Sequence, residues 1–120
     1  YGMDGVDEMS IGAPTQVWEL ADGRVRSYTM TPEDAGLRRA STDAIKGGTV
    51  ERNADLLGRI LHGELGPALD VVLLNTAGAL VVGGKARDLR EGVRIARESI
   101  VSGAATAKLG QIIKVSQGLN

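Results

Sequence analysis

The pattern of apolar and polar positions divides the chain into a strand-like first third and a helical remainder. Residues 16–28, QVWELADGRVRSY, predict a β-hairpin, because Asp22-Gly23 is a dipeptide favoured in a type I′ turn, where both central residues need positive φ. A two-residue turn there predicts three cross-strand pairs: Leu20 with Val25, Glu19 with Arg26, and Trp18 with Ser27. One face of the hairpin is then mostly apolar, and the other carries an opposite-charge pair.

Helix signals follow the hairpin. TPED, Thr31 to Asp34, predicts a single helical turn that ends at Gly36, and the stretch after it has no clear pattern. Apolar residues then recur every three or four positions and predict four helices. We place the boundaries at Thr49 to Gly63, Gly66-Pro67 to Gly83-Gly84, a cap of Asp88 with Glu91 to Gly103, and the residues after Gly103.

The same periodicity predicts which helix faces are buried. The expected inward residues are Val50, Ala54, Leu57 and Leu61 in the first helix, Leu89, Val93, Ala96 and Ile100 in the third, and Leu109, Ile112 and Ile113 in the last. The second helix is apolar almost all round and therefore expects neighbours on every side. A lone hairpin is also marginal in water. Both features favour a piece of something larger, as does a chain that begins at Tyr1 rather than Met.

Composition excludes several classes of function. The 120 residues carry a net charge of −1 with both signs interspersed and only 2% aromatic residues, so neither a basic stripe nor a stacking platform for nucleic acid is present. The absence of cysteine excludes disulfides and thiolate metal sites, which fits a cytoplasmic chain. The apolar run of residues 68–84 contains Asp70, so we predict a helix buried in protein rather than a membrane span.

The opening, YGMDGVDEMS, crowds Asp4, Asp7 and Glu8 into a glycine-broken stretch where their charges repel. One interpretation is a solvated acidic loop. The other is a cation site that serves a phosphate-bearing ligand, because magnesium is usually held by one or two carboxylates together with waters and substrate phosphates. The residues alone leave both interpretations open.

Several strings in fixed order carry a family resemblance: GMDGVDEMS, APT before the hairpin, TPEDAGL, KGGTVERNA, LLNTAGAL and SGAATAKL. Together they resemble the C-terminal part of anthranilate phosphoribosyltransferases, across essentially all 120 residues. The resemblance implies an α/β fold, namely the C-terminal segment of a nucleoside phosphorylase/phosphoribosyltransferase-like domain. It would consist of a metal loop and hairpin in residues 1–30 and a helical portion in residues 49–117. The family's N-terminal helical domain and glycine-rich phosphate loop have no match in residues 1–120.

The resemblance also implies a chemistry. The family transfers phosphoribosyl from phosphoribosyl diphosphate to the amine of anthranilate in tryptophan biosynthesis, commonly as a cytoplasmic homodimer. Its acidic pair matches Asp7 and Glu8, which would bind Mg²⁺ carried with the diphosphate. No residue is assigned as a catalytic base, and the 120 residues alone are expected to be inactive. The alternatives are a pyrimidine-nucleoside phosphorylase-like enzyme and a non-catalytic module that binds a phosphorylated ligand or a partner.

The remaining polar candidates have simpler interpretations. Asp4 could support the metal or be an exposed loop carboxylate, and Ser10 is expected to stabilise a turn. Asn75, on the apolar helix, is expected to tie neighbouring backbone together, because an unpaired buried amide is costly. His62 is expected to be structural at a helix end. Lys46-Gly47-Gly48 lacks the spacing of a phosphate loop and predicts an ordinary loop before a helix.

Overall fold

The computed structural model describes residues 1–118, so positions 119 and 120 lie outside it. The fold begins with an antiparallel hairpin of β1, Thr15–Ala21, and β2, Arg24–Met30. All three predicted cross-strand pairs are confirmed. The turn between the strands has φ of 51° at Asp22 and 70° at Gly23, the positive values that the sequence predicted from this dipeptide.

Two short 3₁₀ turns and four α-helices follow the hairpin. The 3₁₀ turns are Pro32–Ala35 and Thr42–Ile45. The helices are α1, Val50–Leu61; α2, Pro67–Val82; α3, Leu89–Val101; and α4, Ala104–Ser116. The predicted succession of one hairpin and four helices is therefore confirmed. None of the helices among the described residues is both long and apolar enough to cross a membrane.

The helix boundaries follow from local chemistry. Asp88 Oδ1 accepts a hydrogen bond from the Glu91 N–H at 2.8 Å, which caps α3 as predicted. Thr49 Oγ1 caps α1 by accepting from the Arg52 N–H at 3.3 Å. Gly63 follows the end of α1 with a φ of 80°, a left-handed conformation that favours glycine. These caps pair backbone groups that helix ends otherwise leave without partners.

The centre of the core is the contact between α2 and α3. The helices bury two facing stripes: Leu69, Leu73, Leu74 and Ala77 from α2, and Gly92, Val93, Ala96 and Ile100 from α3. Gly92 allows the closest approach, since a Cβ built there would lie only 2.7 Å from the Cβ of Ala77. The predicted inward face of α3 is thereby confirmed, with Leu89 half-buried at its start.

The predicted inward faces of α1 and α4 are wrong for the described residues. On α1, Val50, Ala54 and Leu57 are exposed, and the one buried residue is Ile60. On α4 no residue is buried, and Ile112 and Ile113 are exposed. On α2, Val72 is 37% exposed, so the described residues do not themselves supply neighbours on every side of this helix. Periodicity identifies a face that favours burial, but it does not say which segment covers that face.

Candidate functional site

The acidic residues lie in a loop, residues 1–14, that is fixed against the start of β1. The Gly2 N–H donates to Val6 O at 2.8 Å and closes a tight turn. The Met3 N–H donates to Pro14 O at 2.8 Å, and Gly2 forms an isolated bridge with Thr15. The first part of the loop is therefore held by backbone hydrogen bonds rather than free in solvent.

A hydroxyl–carboxylate pair organises the interior of the loop. Ser10 is fully buried, and its Oγ donates to Asp4 Oδ2 at 2.7 Å. The same oxygen accepts from the N–H groups of Gly12 at 2.9 Å and Ala13 at 3.1 Å. The predicted turn-stabilising role of Ser10 is confirmed, and Asp4 helps to hold the loop together, since its Oδ1 also accepts from the Val6 N–H at 3.5 Å.

The far side of the loop is bound to α2 through Met9. Asn75 Oδ1 accepts from the Met9 N–H at 3.0 Å, and Asn75 Nδ2 donates to Met9 O at 3.0 Å. Nδ2 also donates to Val71 O at 3.1 Å, one turn earlier in α2. The prediction that Asn75 ties backbone together is confirmed. The identity of its partner, 66 residues away in sequence, could not be read from the pattern.

Asp7 and Glu8 lie between these two fixed points and are both exposed. Neither carboxylate accepts a hydrogen bond or forms an ion pair with any other residue among positions 1–118. Within the described part of the chain, no cluster of three or more His, Asp or Glu side chains could hold a metal alone. Two adjacent free carboxylates fit a different kind of site, in which waters and substrate phosphates complete the octahedron of Mg²⁺.

The other polar candidates have local structural partners. His62 Nδ1 lies 2.7 Å from Gly58 O at the end of α1, in keeping with the helix-end role expected for it. In the Lys46-Gly47-Gly48 loop, Asn53 Oδ1 accepts from the Gly48 N–H at 2.8 Å, and Asn53 Nδ2 donates back to Gly48 O at 3.3 Å. Lys46 pairs with Asp43. The loop precedes α1, as predicted.

Asp70 is the one carboxylate of α2. Its side chain is one-quarter exposed, and Arg97 Nη2 lies 3.9 Å from Oδ1. Burial raises the pKa of Asp70 above its ordinary value, and the positive charges of Arg97 and Arg38 offset part of that effect. The first turn of the helix also favours a negative charge at this position.

The arrangement of the loop, hairpin and helices matches known proteins. The family model described as "Glycosyl transferase family, a/b domain" matches residues 1–106. The chain belongs to this glycosyl transferase family. Its resemblance to anthranilate phosphoribosyltransferases is confirmed by a relative of that name from Rhodopseudomonas palustris (strain HaA2), which is 52% identical over 116 residues. That match covers 97% of the chain and 34% of the relative.

Solved structures of proteins named anthranilate phosphoribosyltransferase also match the chain. The anthranilate phosphoribosyltransferase of Thermus thermophilus matches 90% of the chain with a TM-score of 0.81 and 41% identity, over 32% of its own length. The Saccharomyces cerevisiae enzyme, solved in complex with PRPP and Mg, matches 99% of the chain with a TM-score of 0.87 and 27% identity, over 34% of its length. The α/β fold class is thereby confirmed. The chain spans about a third of the length of the curated relatives it matches.

Proposed function

We propose that this chain is the part of an anthranilate phosphoribosyltransferase that contributes the magnesium-binding acids. The observation that carries the proposal is the pair Asp7 and Glu8, adjacent and exposed on a loop whose flanking residues are both fixed. The substrates would be phosphoribosyl diphosphate and anthranilate. The remaining two thirds of the enzyme would supply the residues that bind anthranilate and the diphosphate backbone.

The two carboxylates would act on the leaving group. Asp7 and Glu8 provide oxygen ligands without intramolecular competitors among the described residues, so they can turn toward a metal that arrives with the substrate. When bound, magnesium supplies positive charge that stabilises the departing diphosphate. The anthranilate amine attacks the anomeric carbon as the bond to diphosphate breaks, so stabilising that leaving group lowers the barrier. The same proposal divides the chain into a metal loop with hairpin, residues 1–30, and a helical portion, residues 49–117.

A chimeric enzyme tests the proposal. This chain would replace the matching third of the Rhodopseudomonas palustris enzyme, and turnover would be followed as the loss of anthranilate fluorescence with phosphoribosyl diphosphate and Mg²⁺. Asp7→Asn with Glu8→Gln is expected to lower turnover about 100-fold or more, because electrostatic stabilisation of the leaving group is lost. The matched control is Asp43→Asn with Glu64→Gln, which removes the same charge from exposed surface pairs of little energetic value.

Each outcome decides between the candidate functions. Turnover that requires the acidic pair and tolerates the control supports the proposal. A chimera that stays active after loss of both acids contradicts the metal assignment. A folded chimera without turnover contradicts the activity, and assays for thymidine phosphorolysis and for binding of phosphorylated ligands then test the pyrimidine-nucleoside phosphorylase and the non-catalytic module.

The proposal extends to assembly and location. By the same resemblance, the complete enzyme would be a cytoplasmic homodimer. Light scattering on the purified chimera measures the assembly: twice the mass of one chain is expected, and a monomer at assay concentration would contradict it. Fractionation of cells that produce the chimera tests the location.

A further inference from the structure

The acidic pair is joined to α2 by the residue that follows it. Met9 directly follows Glu8, and both polar atoms of its backbone bond the amide of Asn75. The orientation of that amide is determined by its partners. Oδ1 faces an N–H and Nδ2 faces two carbonyl oxygens, so a flipped amide would place donor against donor and acceptor against acceptor.

The position of Asn75 is unusual for packing alone. It is half-buried on α2, beside the fully buried Leu74, in a helix of otherwise mostly apolar residues. A leucine would fill such a position without the cost of burying an amide. The three hydrogen bonds offset that cost, and two of the three go to the loop rather than to the helix.

We infer that Asn75 is a positioning residue for the acidic pair, because its amide fixes the backbone from which the Asp7 and Glu8 carboxylates project and thereby raises the affinity of the loop for a divalent cation. The turn closed by Gly2 and Val6 fixes the other end. When the backbone beneath the two carboxylates is fixed in advance, a cation that bridges them restricts fewer rotatable bonds on binding. Less conformational entropy is then lost. Residues that orient ligands without touching the metal typically change affinity by about tenfold or more. The inference rests on the proposed function, because that proposal assigns Asp7 and Glu8 as the metal ligands.

The chain contains a matched control for this contact. Asn53 forms the same two-bond contact with one backbone residue, Gly48, in the loop before α1. Asn75→Leu removes the amide next to the acidic pair, and Asn53→Leu removes a comparable amide elsewhere. Asn75→Ser is a milder variant, because its hydroxyl can still donate to Val71 O one turn earlier but is too short to bond both backbone atoms of Met9.

The experiment uses Mn²⁺ as a paramagnetic probe of the full chain. In amide NMR spectra, Mn²⁺ should broaden the signals of Asp7, Glu8 and Met9 first. The Mn²⁺ concentration for half-broadening is expected to rise about tenfold in Asn75→Leu and to stay unchanged in Asn53→Leu. Asn75→Ser adds neither charge nor bulk to α2, so it keeps the test available if the leucine variant does not fold, and it is expected to show a rise in the same direction. Hydrogen exchange of the Met9 N–H should accelerate in both Asn75 variants.

The result that overturns the inference is unchanged Mn²⁺ broadening in Asn75→Ser or Asn75→Leu while Met9 exchange is faster. An equal rise in the half-broadening Mn²⁺ concentration in Asn53→Leu would also overturn the inference, because the change would then reflect general stability rather than this contact. In the chimera, Asn75→Leu should raise the Mg²⁺ concentration for half-maximal turnover more than it lowers kcat. A wild-type chimera without turnover would refute the proposed function while leaving the Mn²⁺ result to decide on Asn75.

Discussion

Replacing Gly92 by alanine tests how closely α2 and α3 are packed. A Cβ at Gly92 would lie 2.7 Å from the Cβ of Ala77, 2.8 Å from its Cα and 2.9 Å from its carbonyl oxygen. Carbon atoms in favourable contact are about 3.5–4.0 Å apart, so the helices would have to separate by about 1 Å. Two of the three atoms belong to the backbone and cannot rotate away, so the helices themselves must shift.

The expected loss of stability is about 2 kcal/mol. Overpacking a core costs about 1–3 kcal/mol, and a backbone clash belongs at the upper end of that range. Alanine regains up to about 1 kcal/mol through its better helix propensity. For a chain of this length, a net loss of about 2 kcal/mol lowers Tm by about 8 °C.

Gly110→Ala is the matched control, because nothing lies within 4 Å of a Cβ built at that position of α4. There the helix propensity acts alone, and we expect a gain of about 0.5–1 kcal/mol. Thermal unfolding followed by far-UV circular dichroism measures both variants. If Gly92→Ala raised Tm as Gly110→Ala does, the close approach of α2 and α3 would be refuted.

Three further substitutions test other contacts. Ser10→Ala leaves a carboxylate and two loop N–H groups without their partner and should cost about 1–3 kcal/mol in urea unfolding; a loss below about 0.5 kcal/mol would contradict the buried network. Gly78→Leu places a Cβ 2.5 Å from Met9 Cε, the flexible end of a side chain that can move aside, so the expected cost of about 1–3 kcal/mol comes from fitting the rest of the leucine into this half-buried position; an unchanged urea midpoint would mean that the position has room for it. Because burial raises the pKa of Asp70 in the folded chain, its contribution to stability is greatest below the unfolded pKa and declines as pH rises through the folded pKa. Wild-type Tm should therefore fall relative to Asp70→Asn as pH is raised from about 3 to 6, and parallel curves would show that the environment of Asp70 does not change on folding.

The hairpin and the helix boundaries could be predicted because their causes are local. Asp22-Gly23 determines the turn and hence the register of every cross-strand pair. Asp88 caps α3 through a residue three positions away. The left-handed conformation of Gly63 ends α1. Each of these signals is contained within a few residues, so no knowledge of the rest of the fold is needed.

What could not be predicted depends on contacts between distant segments. Val50 and Leu57 belong to the apolar stripe of an amphipathic helix, yet both are exposed among the described residues. The sequence pattern predicts such a stripe but does not identify the segment that would cover it. The partner of Asn75 was hidden for the same reason. An amide within an apolar helix signals that a partner exists, but only the folded chain identifies it as the backbone of Met9.

The link between Met9 and Asn75 also has a consequence for the order of events in folding. The turn at Gly2–Val6 and the contact of Asp4 with Ser10 close loops of only a few residues, which chains can do in well under a microsecond. The Met9–Asn75 contact joins residues 66 positions apart, so it carries the larger loop-closure cost and we expect it to form after these local contacts. We therefore expect the acidic pair to gain its final orientation only when the loop and α2 have come together.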